Sequence, residues 1–128
     1  MNITHVALWT RSLDAQVQFW ETVFGGRSNE RYLSKNRPGF ASHFITLDSG
    51  PTVELMTVPD LPDAPAFAEF IGWAHIAIDV GSKEKVDSMA EQARLGGTLL
   101  SAPRMTGDGF YEAVIADPDG NRIELVGA

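Results

Sequence analysis

The chain has 128 residues, 44% hydrophobic and 21% charged, with no cysteine and a formal net charge of −7. That describes one globular unit able to bury a core without staples, and the lack of cysteine excludes disulfides and thiolate chemistry. The charge argues against nucleic-acid or anionic-membrane partners, and neither a bilayer-spanning apolar run nor a signal-peptide pattern is present, so the expected compartment is the cytoplasm.

In chain order, residues 3–10 read as a strand. Ser12 follows as an N-cap, and Leu13, Val17, Trp20 and Phe24 recur at helical spacing until Gly25-Gly26 stops the helix. Three extended stretches are predicted next, at 27–33, 40–47 and 52–58, with Asp48-Ser49-Gly50 turning between the last two. Residues 59–70 carry Pro59, Pro62 and Pro65 and read as a stiff linker. The plan then repeats: a strand at 73–80, Ser82 as cap, and a helical face of Val86, Met89, Ala90 and Ala93 before Gly96-Gly97. Strands follow at 98–102, 110–116 and 121–126, with Asp117-Pro118-Asp119-Gly120 as the turn. Each half is β-α-β-β-β. The expected organisation is a single domain, 1–128, made of module 1–58, linker 59–70 and module 71–128, in the α+β class.

The repetition extends to individual residues. Sliding 1–58 onto 71–128 without a gap matches 11 identical positions, among them His5/His75, Ala7/Ala77, Ser12/Ser82, Gly50/Gly120, Glu54/Glu124 and Leu55/Leu125. Unrelated segments of ordinary composition would match at about 3 or 4. Self-similarity at a fixed offset means a duplicated structural unit. Each copy brings one His and one Glu.

Strand alternation gives those residues a face. His5 shares its side with Ala7 and Trp9, opposite Val6 and Leu8, and Glu54 shares with Thr52 and Met56, opposite Val53 and Leu55. In the second copy His75 goes with Trp73 and Ala77, and Glu124 with Arg122 and Val126, opposite Ile76, Ile78, Ile123 and Leu125. One face therefore suits packing under a helix and the other suits a cavity. Two imidazoles and two carboxylates make a donor set for a borderline divalent cation such as Ni, Zn, Co, Mn or Fe(II). A single strand His is more often a hydrogen-bonded core residue, and a single strand Glu more often a solvated one. Joint repetition of both favours a shared metal, bound by His5, Glu54, His75 and Glu124.

The duplicated β-α-β-β-β plan, Thr4-His5-Val6-Ala7-Leu8, Val53-Glu54-Leu55, His75-Ile76-Ala77-Ile78 and the stretch from Asp117 to Leu125 resemble the vicinal-oxygen-chelate (glyoxalase/bleomycin-resistance/dioxygenase) superfamily. The resemblance implies a cupped mixed sheet with helices outside, one divalent metal ion per site, a small-molecule substrate and a homodimer. Two His with two Glu is similar to the glyoxalase I pattern. That implies a metal-dependent lyase or isomerase in which Glu124, and also Glu54, acts as base. The proton moves beside a metal-chelated carbonyl, in a 2-oxoaldehyde–thiol adduct or similar compound. Two positions depart from bacterial glyoxalase I: Trp9 stands where those enzymes carry an arginine serving glutathione, and Val58 where they carry an asparagine. The metal site transfers by resemblance; the glutathione substrate does not. The alternatives are an extradiol-type dioxygenase, against which Glu54 argues, and a non-catalytic antibiotic-binding protein.

Trp9, Met56 and Phe110 are candidate substrate contacts, each weighed against plain core packing. His43, whose repeat partner is Ala113, falls outside the symmetric set. Thr106-Gly107-Asp108-Gly109 is either a mobile flap or a simple turn. Arg104 and Arg122 read as solvated arginines, with anion binding as the alternative.

Overall fold

The computed structural model describes residues 1–128 as two compact units, Met1–Pro65 and Ala66–Ala128. The first unit runs β1 (His5–Trp9), α1 (Leu13–Phe24), β2 (Arg27–Ser28), β3 (Tyr32–Leu33), β4 (Ala41–Thr46) and β5 (Thr52–Thr57). Its strand order is β1-β5-β4-β2, with β3 also on β4; β1 and β5 are parallel and the other pairs antiparallel. The second runs β6 (Ile76–Asp79), α2 (Lys83–Leu95), β7 (Leu99–Met105), β8 (Tyr111–Ala116) and β9 (Arg122–Gly127). Its order is β6-β9-β8-β7, again with only the first pair parallel. The α+β class and the duplicated module are as expected, each module carrying its own mixed sheet.

Both helices start where a serine hydroxyl takes an orphan N–H: Ser12 accepts from Ala15 and Ser82 from Lys85. Gly25, at φ 66°, closes α1 in the left-handed conformation that glycine adopts without strain. Beneath α1 lie Ala41, Ile45, Val53 and Leu55. Beneath α2 lie Ala113, Ile115, Ile123 and Leu125, and all eight are buried. Fully burying a side chain of the Leu or Ile kind stabilises the fold by about 1.5–3 kcal/mol. The helical stripe of α1 differs from the expected one. Gln16, not Val17, is fully buried, because its side-chain oxygen accepts the indole N–H of buried Trp20 at 3.2 Å.

Three strands differ from their predicted extents, and the one expected at 98–102 runs on to Met105 as β7. Residues 27–33 split into β2 and β3, because Asn29 takes both backbone groups of Phe44: its side-chain oxygen accepts the Phe44 N–H at 2.7 Å, and its own N–H donates to the Phe44 carbonyl. The strand expected from residue 73 begins at Ile76, which pairs with Ile123. Carried back, that register sets 73 and 74 opposite Gly120 and Asn121. Those residues are committed to a turn in which Asp117 accepts the N–H groups of Asp119 and Asn121 and the Asn121 side-chain amide. The Asp117-to-Asn121 stretch is thus a structural device that starts β9 and sets its register.

Candidate active site

In the first unit Ala7 is the Cα partner of Glu54, and His5 that of Thr52. His5 and Glu54 are therefore diagonal neighbours on one face, with only the Ala7 methyl beside them. Their side chains meet: His5 Nε2 lies 3.8 Å from Glu54 Oε1, with the imidazole half exposed and the carboxylate largely covered. The second unit repeats this. Ala77 is the partner of Glu124, and His75, just ahead of β6, places Nε2 3.3 Å from Glu124 Oε2. The same nitrogen faces the carboxylate in both copies. Parallel register and alternation are sufficient causes, since each pair needs only one His and one Glu on adjacent strands two residues out of step.

Each unit thus assembles one pair. No group of three or more His, Asp or Glu side chains is gathered in a metal-holding arrangement; each unit holds one imidazole–carboxylate pair. An imidazole nitrogen beside an acidic oxygen fits a borderline divalent cation, with neutral nitrogen and anionic oxygen as donors.

The surroundings of the two pairs differ. In the first unit the Phe44 ring stands edge-on to His5 with centroids 5.8 Å apart. Phe44 is the Cα partner of Glu54, and Met56 is flanked by Trp9 and Ser42, so all share the face of the His5–Glu54 pair. Trp9 is 44% exposed, which excludes the plain core role. His43 points to the opposite side, beside Leu55, where Nδ1 contacts Ser28 Oγ at 3.1 Å and the Asn29 carbonyl at 3.0 Å. It is structural.

In the second unit the His75–Glu124 pair lies in an open cleft of about 570 Å³, also lined by Arg104, Thr106, Phe110 and Glu112. The Thr106–Gly109 segment is pinned: the Phe110 N–H donates to Thr106 Oγ1 at 3.0 Å, and the Thr106 N–H to the Phe110 carbonyl. Arg104 points into the cleft, 3.8 Å from Glu112.

Glu112 escaped the sequence reading. Its repeat position is Ser42, so a search for repeated ligand types passes over it. Alternation along β8 would have found it, because Val114 pairs with Glu124 and Glu112 lies two residues along on the same face. Desolvation raises its pKa above the usual carboxylate range, helped by a hydrogen bond and charge repulsion from Glu124 and opposed by Arg104. The second copy therefore holds two interacting carboxyl groups where the first holds one.

This is the architecture of the vicinal-oxygen-chelate proteins, a paired β-α-β-β-β fold with equivalent strands carrying His and Glu. The family described as Glyoxalase/Bleomycin resistance protein/Dioxygenase superfamily matches residues 2–125, and the chain belongs to it. An uncharacterized protein of Pseudomonas aeruginosa is 30% identical over 126 residues, 96% of this chain and 86% of that one. Among solved structures, a glyoxylase/bleomycin resistance protein/dioxygenase domain from Frankia sp. EAN1pec superposes with a TM-score of 0.84. It is 16% identical, over 100% of this chain and 92% of that one. The trypanothione-dependent glyoxalase I of Leishmania major gives a TM-score of 0.76 at 20% identity, over 99% of this chain and 86% of that one. At such identities these structures speak for the fold. No helix is long and apolar enough to cross a membrane.

Proposed function

We propose that the two His–Glu pairs together hold one divalent metal ion, and that the protein is a metal-dependent lyase or isomerase of glyoxalase I type. Its substrate is a small α-oxygenated carbonyl compound such as a 2-oxoaldehyde–thiol adduct. The observation that carries this is the equivalence of the pairs: the same residue types, strands, register and facing nitrogen, kept while most other positions diverged. When bound, the metal, Ni, Zn, Co, Mn or Fe, supplies Lewis-acid polarisation of a carbonyl. The chain's own residues do the rest. His5 and His75 act as ligands. Glu124, with Glu54 as its counterpart, takes a proton from the carbon beside the carbonyl and returns it to the neighbouring carbon. The Trp9, Met56 and Phe110 side chains wall the substrate.

The same reading makes the protein a cytoplasmic homodimer. Phe67, Phe70, Ile71 and Trp73 form a largely exposed apolar run, which suits burial against a second copy.

The test is the metal content of protein purified without chelator, beside His5→Ala and Glu124→Ala. Near one transition metal per four-donor set, lost in both variants, is expected, with turnover of 2-oxoaldehyde–thiol adducts that depends on it. Wild-type protein that takes up no metal after reconstitution refutes the proposal and leaves a sequestering role.

A further inference from the structure

A second cluster occupies the face of the His5–Glu54 pair in the first unit. Trp9 pairs with Met56, Met56 with Ser42, and Ser42 with Tyr32, so one row runs across β1, β5, β4 and β3 with these side chains on the same side as Glu54. Phe40, two residues before Ser42, adds to it. Its ring meets Trp9 edge-on at 6.2 Å and Tyr32 at 6.4 Å. Over these rings lies the Arg37 guanidinium, 5.6 Å from the Trp9 centroid and 5.8 Å from that of Phe40.

Three features say what this cluster takes. Trp9 and Tyr32 are 44% and 54% exposed, so the rings are open to a ligand. Arg37 has no carboxylate partner, whereas Arg11, Arg94 and Arg104 face Asp63, Glu91 and Glu112. The chain is acidic as a whole, yet Arg27, Arg31, Lys35 and Arg37, four of its ten Lys and Arg residues, fall in one short stretch with Glu30 as the single acid. A guanidinium within cation–π distance of aromatic rings is weakly hydrated and presents a planar fork of donors. An exposed aromatic row beside an unpaired guanidinium suits a flat anion, which stacks on the rings and accepts hydrogen bonds from the fork.

We propose that Trp9, Tyr32, Phe40 and Arg37 form a specificity subsite for a planar, negatively charged group of the substrate, such as an aryl carboxylate. The row lies one two-residue step along the sheet from the Ala7–Glu54 pair, about 7 Å away. A ring joined to the reacting carbonyl by a short linker spans that distance. The link to a reacting centre rests on the proposed function; the ligand class rests on the cluster alone.

The test uses the full chain, metal-free and Ni-loaded, titrated by calorimetry with naphthoate, acetate and naphthylmethylammonium. Naphthoate is expected to bind in both forms, about tenfold tighter than either other probe, as stacking combined with a charged hydrogen bond requires. Trp9→Ala and Arg37→Gln change exposed side chains and leave the fold intact; each should weaken naphthoate about five- to tenfold. His5→Ala should abolish metal uptake and leave naphthoate binding unchanged. Naphthoate no tighter than acetate or the ammonium probe, or undiminished in both subsite variants, overturns the assignment. Loss of the metal result alone refutes the proposed chemistry and leaves the subsite standing.

Discussion

Adjacent residues on β9 should behave oppositely when changed. Leu125 is fully buried under α2, and Glu124 beside it points into the cleft. Leu125→Ala should cost about 3 kcal/mol, mid-range for a buried leucine whose site cannot collapse. An unfolding entropy of about 2.1 cal/mol/K per residue amounts to about 0.27 kcal/mol/K for 128 residues, so the midpoint should fall by about 11 °C. Glu124→Gln keeps the shape and should move the metal-free midpoint by under about 2 °C, as for a change outside the core. With metal the gap between the two variants nearly closes, because Leu125→Ala keeps the full metal gain and Glu124→Gln does not. Saturation at a hundred times Kd stabilises the wild type by about 2.7 kcal/mol, or about 10 °C. Loss of one donor should weaken binding at least about a hundredfold, beyond the typical effect of removing an outer partner. At the same metal concentration the Gln variant then gains only about 0.4 kcal/mol, near 1.5 °C. Thermal unfolding followed by circular dichroism, in EDTA and in Ni²⁺, reads all of this. An undiminished metal shift in Glu124→Gln, or a metal-free loss as large as that of Leu125→Ala, refutes the reasoning.

In metal-free protein Glu112→Gln should be stabilising at neutral pH. The raised carboxyl pKa means the folded state holds its proton longer, so wild-type stability falls as pH rises from about 4.5 toward the raised value. Denaturant titrations in EDTA should show the variant ahead at pH 7 and level with wild type below about pH 4; an equal gap at both would contradict this. Gln16→Leu keeps the volume yet removes the acceptor of the Trp20 indole N–H, and should cost about 1–3 kcal/mol in urea unfolding. Gly127→Ala would press a methyl onto the Ser82 carbonyl at the start of α2. It should cost about 1–3 kcal/mol, with hydrogen exchange faster in α2 than in α1.

The pairing of His with Glu on one face of each sheet was legible because two rules sufficed. A 70-residue offset exposed the copied His and Glu, and alternation put the two Glu opposite Val53, Leu55, Ile123 and Leu125, which pack under the helices; the pairs opposite the two His, Val6 with Leu8 and Ile76 with Ile78, stay only half-buried. What escaped depended on contacts between elements. Gln16 reads as polar and surface-bound until the buried indole nitrogen of Trp20 is seen to need an acceptor. Residues 27–33 read as one strand until Asn29 intercepts the backbone groups of Phe44. Trp73 has strand character but nothing to pair with, since its opposite number is held in the Asp117 turn. Glu112 and Arg37 were missed for a different reason. The repeat rewards what the copies share, and these residues are what they do not share.

That asymmetry bears on how such a protein acquires a substrate. Residues copied by the duplication are bound to be alike, as the two His–Glu pairs are, and cannot by themselves distinguish one ligand from another. Discrimination must come from positions where the copies diverged. Around His5 these are Phe44, Trp9 and the Arg37 cluster. Around His75 they are Arg104 and Glu112, a nearly compensated pair in an acid-rich cleft. One copy therefore offers aromatic surface with a free positive charge, and the other offers carboxylates.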